Sequence, residues 1–159
     1  MQFLFMSLFA LGIVALDQWT KFLVLENIPL AGHVDAIPGL FHLTYVRNTG
    51  AAFSAFEGAQ WLFALIFLAL TAAVFYEYFK KRQPFTTFER WLIAAIYGGG
   101  VGNMIDRIRF GYVVDMIEVD FMRFAVFNVA DIFITCSCIL LMIHLFLFNK
   151  EFWKEEKKK

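Results

Sequence analysis

Residues 129–148 read VADIFITCSCILLMIHLFLF, and this stretch decides the fold. It carries Asp131 near the start and His144 near the end. Crossing a bilayer takes about 20 mostly apolar residues, and this run supplies them. In lipid the backbone groups must be satisfied within the segment, so the run reads as a helix. Three more segments have the same character: 3–25, interrupted by Asp17 and Lys21; 61–79, unbroken except for Glu77; and 91–109, which carries Gly98-Gly-Gly-Val-Gly102. Composition agrees. The chain is 60% hydrophobic, against about 45–50% for soluble domains, and 21 of its 159 residues are Phe. The expected fold is an all-α membrane protein of one integral membrane domain, with four transmembrane helices. Residues 3–16 resemble a signal-peptide core, but no Lys or Arg precedes them and no small-x-small site follows, so a retained first span is expected.

Lys and Arg placement predicts the orientation. Lys80, Lys81, Arg82 and Arg90 lie between the second and third spans, and Lys150, Lys154, Lys157, Lys158 and Lys159 lie in the charged tail 149–159. Both termini are then cytoplasmic, and segments 26–60 and 110–128 lie outside. Trp19 and Trp61 fall at the outer interface, Trp91 and Trp153 at the inner one. Within 26–60, Pro29, Gly32 and Pro38-Gly39 punctuate the chain. Phe41-His-Leu-Thr-Tyr-Val-Arg47 alternates with period two before the turn Asn48-Thr-Gly50. A small extracytoplasmic β element, within about 31–57 and between the first and second helices, is expected on the outer membrane surface.

Ionisable residues within a span are costly and point to function. Asp17 lies about 24 Å along its helix at 1.5 Å per residue; Asp106 and Arg107 end the third span and Asp131 begins the fourth. All converge on the outer interface, and Asp115 follows shortly after the third span. Lys21 stands four residues after Asp17, on the same helical face, and Asp106 has Arg107 beside it and Arg109 nearby, so Asp17 and Asp106 read as ionised and structural. Asp115 and Asp131 have apolar sequence neighbours and no nearby cation. Brought together, they would share a proton through desolvation and repulsion, and such a pair acts as base and acid on one water.

Other readings compete. Asn128 and Asp131 are spaced as a capping-box variant, so Asp131 is also a candidate cap. Gly98 and Gly102 suit helix packing. Cys136 and Cys138, two apart, point to different helical faces and suit neither a disulfide nor a shared metal. His33, His42 and His144 are scattered without ligand spacing, so no metal and no cofactor is expected. Nothing motivates a nucleic-acid partner, and no G-x-S-x-G nucleophile motif occurs.

The blocks Asp17-Gln-Trp-Thr-Lys21, Arg47-Asn48-Thr-Gly50-Ala-Ala-Phe53, Gly102-Asn103-Met-Ile-Asp106-Arg107, Val113-Val-Asp115 and Phe127-Asn128-Val-Ala-Asp131 together resemble the lipoprotein signal peptidase (signal peptidase II) family. The resemblance implies an aspartic endopeptidase of the bacterial cytoplasmic (inner) membrane. It would remove signal peptides from diacylglyceryl prolipoproteins, cutting before the lipidated cysteine near the outer face. It implies Asp115 and Asp131 as the catalytic pair. Asn48, Gly50, Asn103, Arg107 and Asn128 become supporting or substrate-contacting positions, and Asp17, Lys21 and Asp106 scaffold. Membrane lipid is an expected partner, and a monomer is expected. The alternatives are a proton-linked transporter and a non-enzymatic membrane adaptor. Transporters commonly show repeats and broken helices near the midplane, whereas this sequence has no repeats and its carboxylates sit at one end of the spans. An adaptor leaves the polar blocks unexplained.

Overall fold

The structure, a computed structural model, describes residues 1–50, 60–80 and 85–151. Four helices, α1 (Gln2–Asn27), α2 (Gln60–Lys80), α3 (Thr87–Phe110) and α4 (Val129–Leu147), accompany three strands, β1 (His33–Ile37), β2 (Phe41–Asn48) and β3 (Val113–Val119). The helices begin and end within a few residues of the apolar runs. α1 and α4 are each long and apolar enough to cross a bilayer; the apolar part of α2, Trp61–Tyr76, is shorter. α3 carries Glu89 and Arg90 at one end and Asp106, Arg107 and Arg109 at the other.

Polarity is inverted relative to a water-soluble bundle. Phe3, Leu4, Leu8 and Leu11 of α1 and Ile139, Leu140, Ile143 and Phe146 of α4 are exposed, while Asp17, Lys21, Glu89 and Asp106 are buried. Soluble proteins almost never bury such residues unpaired; with lipid as solvent the polar groups pair inside.

Packing alternates the helices. Ala10 and Ile13 of α1 meet Gly98, and Asp17 meets Gly102, so α1 and α3 run parallel. Gly99 packs on Ala130 and Ile134, whereas Glu89 lies against His144, so α4 runs antiparallel to α3. Phe67 of α2 contacts Gly100 and Phe63 reaches Arg107, which makes α2 antiparallel as well. The glycines permit this closeness: a Cβ at Gly98 would stand 2.8 Å from the Ala10 carbonyl oxygen.

The β element is larger than the sequence suggested. The strand expected at 41–47 is β2, and it is central in an antiparallel sheet of order β1-β2-β3. The third strand comes from between α3 and α4, so the sheet is not confined to the α1–α2 connection. Residues 51–57 of the expected β segment lie outside the described residues, as do Lys81, Arg82, Trp153, Lys154 and Lys157–Lys159. α3 ends at Gly111, whose φ of 76° supplies the left-handed cap and whose N–H donates to the Arg107 carbonyl. The chain then enters β3, pairing Asp115 with Val46. Val114 and Met116 pack with Tyr45, Val24 and Ile28, seating the sheet on the end of α1. Phe127 bonds back to Ile117 and delivers Asn128 to the start of α4.

Candidate active site

The ends of α1 and α3, the start of α4 and strands β2 and β3 meet around one polar network. Its hub is the Lys21 ammonium, which is 2% exposed. It reaches Asp17 Oδ2 at 2.9 Å, Asp106 Oδ2 at 3.0 Å and Asn103 Oδ1 at 2.9 Å. An ammonium has three donors and no acceptor, so all three are used. Asp17 also accepts from the Ala130 N–H at 3.0 Å, tying α1 to α4. Asp106 accepts from the Val114 N–H at 3.0 Å, tying α3 to β3. The sequence neighbours Arg107 and Arg109 are not the ion-pair partners of Asp106; Lys21 is. Gln18, to which the sequence reading gave no role, joins Asp17, Asp106 and the Gly102 carbonyl.

Beyond this hub lie the two aspartates expected to pair, Asp115 and Asp131. Asp115 is 2% exposed. Asn48 Nδ2 donates to its Oδ2 at 2.8 Å and Asn128 Nδ2 to its Oδ1 at 2.7 Å. Asn48 is held for this by an Asx turn, its Oδ1 accepting the Gly50 N–H at 2.9 Å. Asp131 accepts from Asn103 Nδ2 at 2.7 Å and from the Asn128 N–H at 3.2 Å. Asn128 in turn accepts the Asp131 N–H at 3.0 Å, completing a capping box. The cap and the carboxylate pair are therefore one arrangement: Asp131 caps α4 and shares Asn128 with Asp115.

Burial pushes the Asp115 carboxyl up to about 6, offset by the Asn48 bond and augmented by the Asp131 charge. Both carboxyls line a cavity of about 470 Å³ shared with Asn48, Asn103 and Arg107 and walled by apolar α2 residues such as Phe63 and Phe67. Arg107 donates to the carbonyls of Asn103 at 3.2 Å and Gly50 at 3.1 Å and lies 4.4 Å from the Phe63 ring centroid. Its Nε is buried with no protein acceptor among the described residues. No group of three or more His, Cys, Asp or Glu there could hold a metal.

The histidines are less scattered than their spacing suggests. His42 bonds Asp120 at 2.6 Å and Glu118 at 3.0 Å, clipping β2 to β3, and its ring lies 5.6 Å from that of His33. The Asp120 hydrogen bond is the main cause of an upward shift in the His42 pKa. At the opposite end of the helices, His144 and Asn149 hold the buried carboxylate of Glu89. The alternation of Glu118, in β3, and Asp120, just after it, was the available signal for the first cluster. The second had none, since Glu89 lies 55 residues from His144 and 60 from Asn149.

Comparison with known proteins bears on this geometry. The family model described as signal peptidase (SPase) II matches residues 9–147. A lipoprotein signal peptidase of Streptococcus thermophilus is 41% identical over 149 residues, covering 92% of this chain and 90% of the relative. One of Streptococcus pyogenes is 42% identical over 144 residues, 91% of this chain and 90% of the relative. A bacterial membrane enzyme solved in meso at 2.3 Å resolution superposes with a TM-score of 0.84 at 30% identity, covering 92% of this chain and 90% of that one. With nearly its whole length matched in sequence and in fold, the chain belongs to the signal peptidase II family.

Proposed function

We propose that Asp115 and Asp131 carry the cleavage performed by this lipoprotein signal peptidase. The observation behind this reading is that both carboxyls face one cavity while every oxygen of the pair accepts an N–H from the surrounding scaffold. Asp131, at a helix N-terminus that favours negative charge, is the base; Asp115, whose burial favours the protonated form, is the acid. Asp131 takes a proton from a water that attacks the scissile carbonyl, and Asp115 gives its proton to the carbonyl oxygen. Collapse of the tetrahedral diol then protonates the leaving amine and returns the pair to one shared proton. The free Nε of Arg107 suits a substrate carbonyl. Asn48, Asn103 and Asn128 orient the carboxyls, Gly50 supports Asn48, and Asp17, Lys21 and Asp106 hold the elements that carry them.

The substrate is a diacylglyceryl prolipoprotein, cut before its lipidated cysteine. The apolar wall of the cavity from α2 supports this. Each buried acyl CH₂ is worth about 0.8 kcal/mol, so lipid chains favour delivery of the bond beside the aspartates. All four helices cross the bacterial cytoplasmic membrane, with both termini inside, the sheet outside and the chain working as a monomer. Alternation of the helices and burial of their charges support this topology.

Purified protein is expected to release the signal peptide from a diacylglyceryl prolipoprotein equally well with and without chelator, and Asp115→Asn is expected to leave the substrate uncut. Thiol labelling in a cysteine-free background should reach position 35 from outside and position 150 only from inside. Cleavage by Asp115→Asn, or chelator inhibition reversed by zinc, contradicts the mechanism; the opposite labelling contradicts the topology.

A further inference from the structure

Lys21 lies outside the cavity, and its ion pairs with Asp17 and Asp106 explain why it is buried. They do not explain its third bond, to Asn103 Oδ1 at 2.9 Å. An ammonium cannot accept a hydrogen bond, so the Asn103 amide must turn its oxygen toward Lys21. Its Nδ2 is then forced toward Asp131 Oδ1, at 2.7 Å. The same oxygen of Asn103 accepts Asn128 Nδ2 at 3.1 Å, and that nitrogen also donates to Asp115 Oδ1 at 2.7 Å. Asn128 is oriented independently, because its own oxygen accepts the Asp131 N–H. The direction of every bond between Lys21 and the two aspartates is thus determined by a donor-only cation at one end and a helix cap at the other.

We infer that Lys21 is a positioning residue for the reaction: through the amide of Asn103 it holds Asp131 Oδ1 as a hydrogen-bond acceptor and so keeps that carboxylate aimed and ready to take a proton. This rests on the reading of Asp115 and Asp131 as the reacting pair. Donation to a carboxylate oxygen favours its charged form. With Lys21 gone, Asn103 Oδ1 keeps only the neutral Asn128 donor. That one bond is then all that opposes a turn of the amide, which would present its oxygen to a protonated Asp131 and leave the pair without its base. The other charged groups around the pair are Asp17 on α1 and Asp106 and Arg107 on α3. α2 presents apolar side chains such as Phe63 and Ile66, and β2 presents Asn48.

The test combines a rate profile with a reading that does not use activity. Lys21→Met is compared with Lys21→Met/Asp106→Asn, which removes one of the carboxylates left unpaired and protects folding. For protein shown to be folded, kcat is expected to fall about tenfold with KM little changed. The acid limb of kcat should move up by about one pH unit. Carbon-13 carboxyl titration of Asp131 should move in the same direction. The wild-type protein itself should show a coupling across the hydrogen bond from Asn103 Nδ2 to the Asp131 carboxyl carbon. A purely scaffolding lysine leaves the profile and the titration unchanged in the folded variants, and that result, or absence of the coupling in wild type, overturns the inference. If instead Asp131→Asn cuts substrate while the coupling and the titration shift are present, the relay stands and the assignment of the reacting pair fails.

Discussion

α3 and α4 each begin with a capping box, and the two boxes lie at opposite ends of the helix pair. At the start of α3, Thr86 accepts from the Glu89 N–H and Glu89 reaches back to the Thr86 N–H. At the start of α4, Asn128 and Asp131 do the same. The carboxylate of Glu89 is wholly consumed, with His144 and Asn149 on its oxygens and no solvent exposure. The carboxylate of Asp131 has its donors on the protein side and opens onto the cavity beside Asp115. The same local motif therefore closes one end of the bundle and, in the proposed mechanism, supplies the base at the other. What separates them is a cavity and a second carboxyl, not the box.

The cap residues are the sharpest way to separate the two ends. Asn128→Ala removes the acceptor of the α4 cap and the donor shared by Asp115 and Asn103, so cleavage should fall about a hundredfold or more, with about 1–2 kcal/mol lost in stability. Thr86→Ala removes only a cap, and should cost about 1 kcal/mol while leaving turnover per folded molecule within about twofold. Cleavage rate and thermal midpoint, measured on both, check this; equal loss of turnover would mean that the closed end also serves the reaction.

A smaller effect concerns pH. Burial pushes the Asp115 carboxyl up to about 6 in the folded protein, against an ordinary value of 3.8. Between those values the folded state binds more protons than the unfolded state, so stability should fall as the pH rises through this window and level off above it. The size is at most about 3 kcal/mol. Thermal midpoints followed from about pH 4 to 7 should decline in wild type and lose this decline in Asp115→Asn. An identical slope in both proteins would show that Asp115 is not the group held protonated.

The contrast between the ends also explains what could be read in the sequence. Apolar runs of span length placed all four helices, because in lipid a backbone has little else to form. β3 was not legible: Val-Val-Asp-Met-Ile-Glu-Val is short, and its partner β2 lies about 70 residues earlier, so pairing depends on tertiary contact. The two aspartates stood out because apolar neighbours surround them, and the resemblance named the same pair. The Lys21–Asp106 pair did not stand out, since adjacency favoured Arg107. Successive helical residues point about 100° apart, and Asp106 faces α1 while Arg107 faces the cavity. Glu89, His144 and Asn149 were hidden for the same reason, being assembled only when α3 and α4 pack.

If the open box performs the chemistry and the closed one does not, one pair of isosteric changes will separate them. Asp131→Asn and Glu89→Gln each replace a capping carboxylate with an amide of the same shape. Their rates on one diacylglyceryl prolipoprotein, at saturating substrate and per folded molecule, are the measurement. The expected result is a fall of about a thousandfold or more for Asp131→Asn and a rate within about threefold of wild type for Glu89→Gln, whose cost appears in thermal stability. Retention of substantial turnover by folded Asp131→Asn would contradict it.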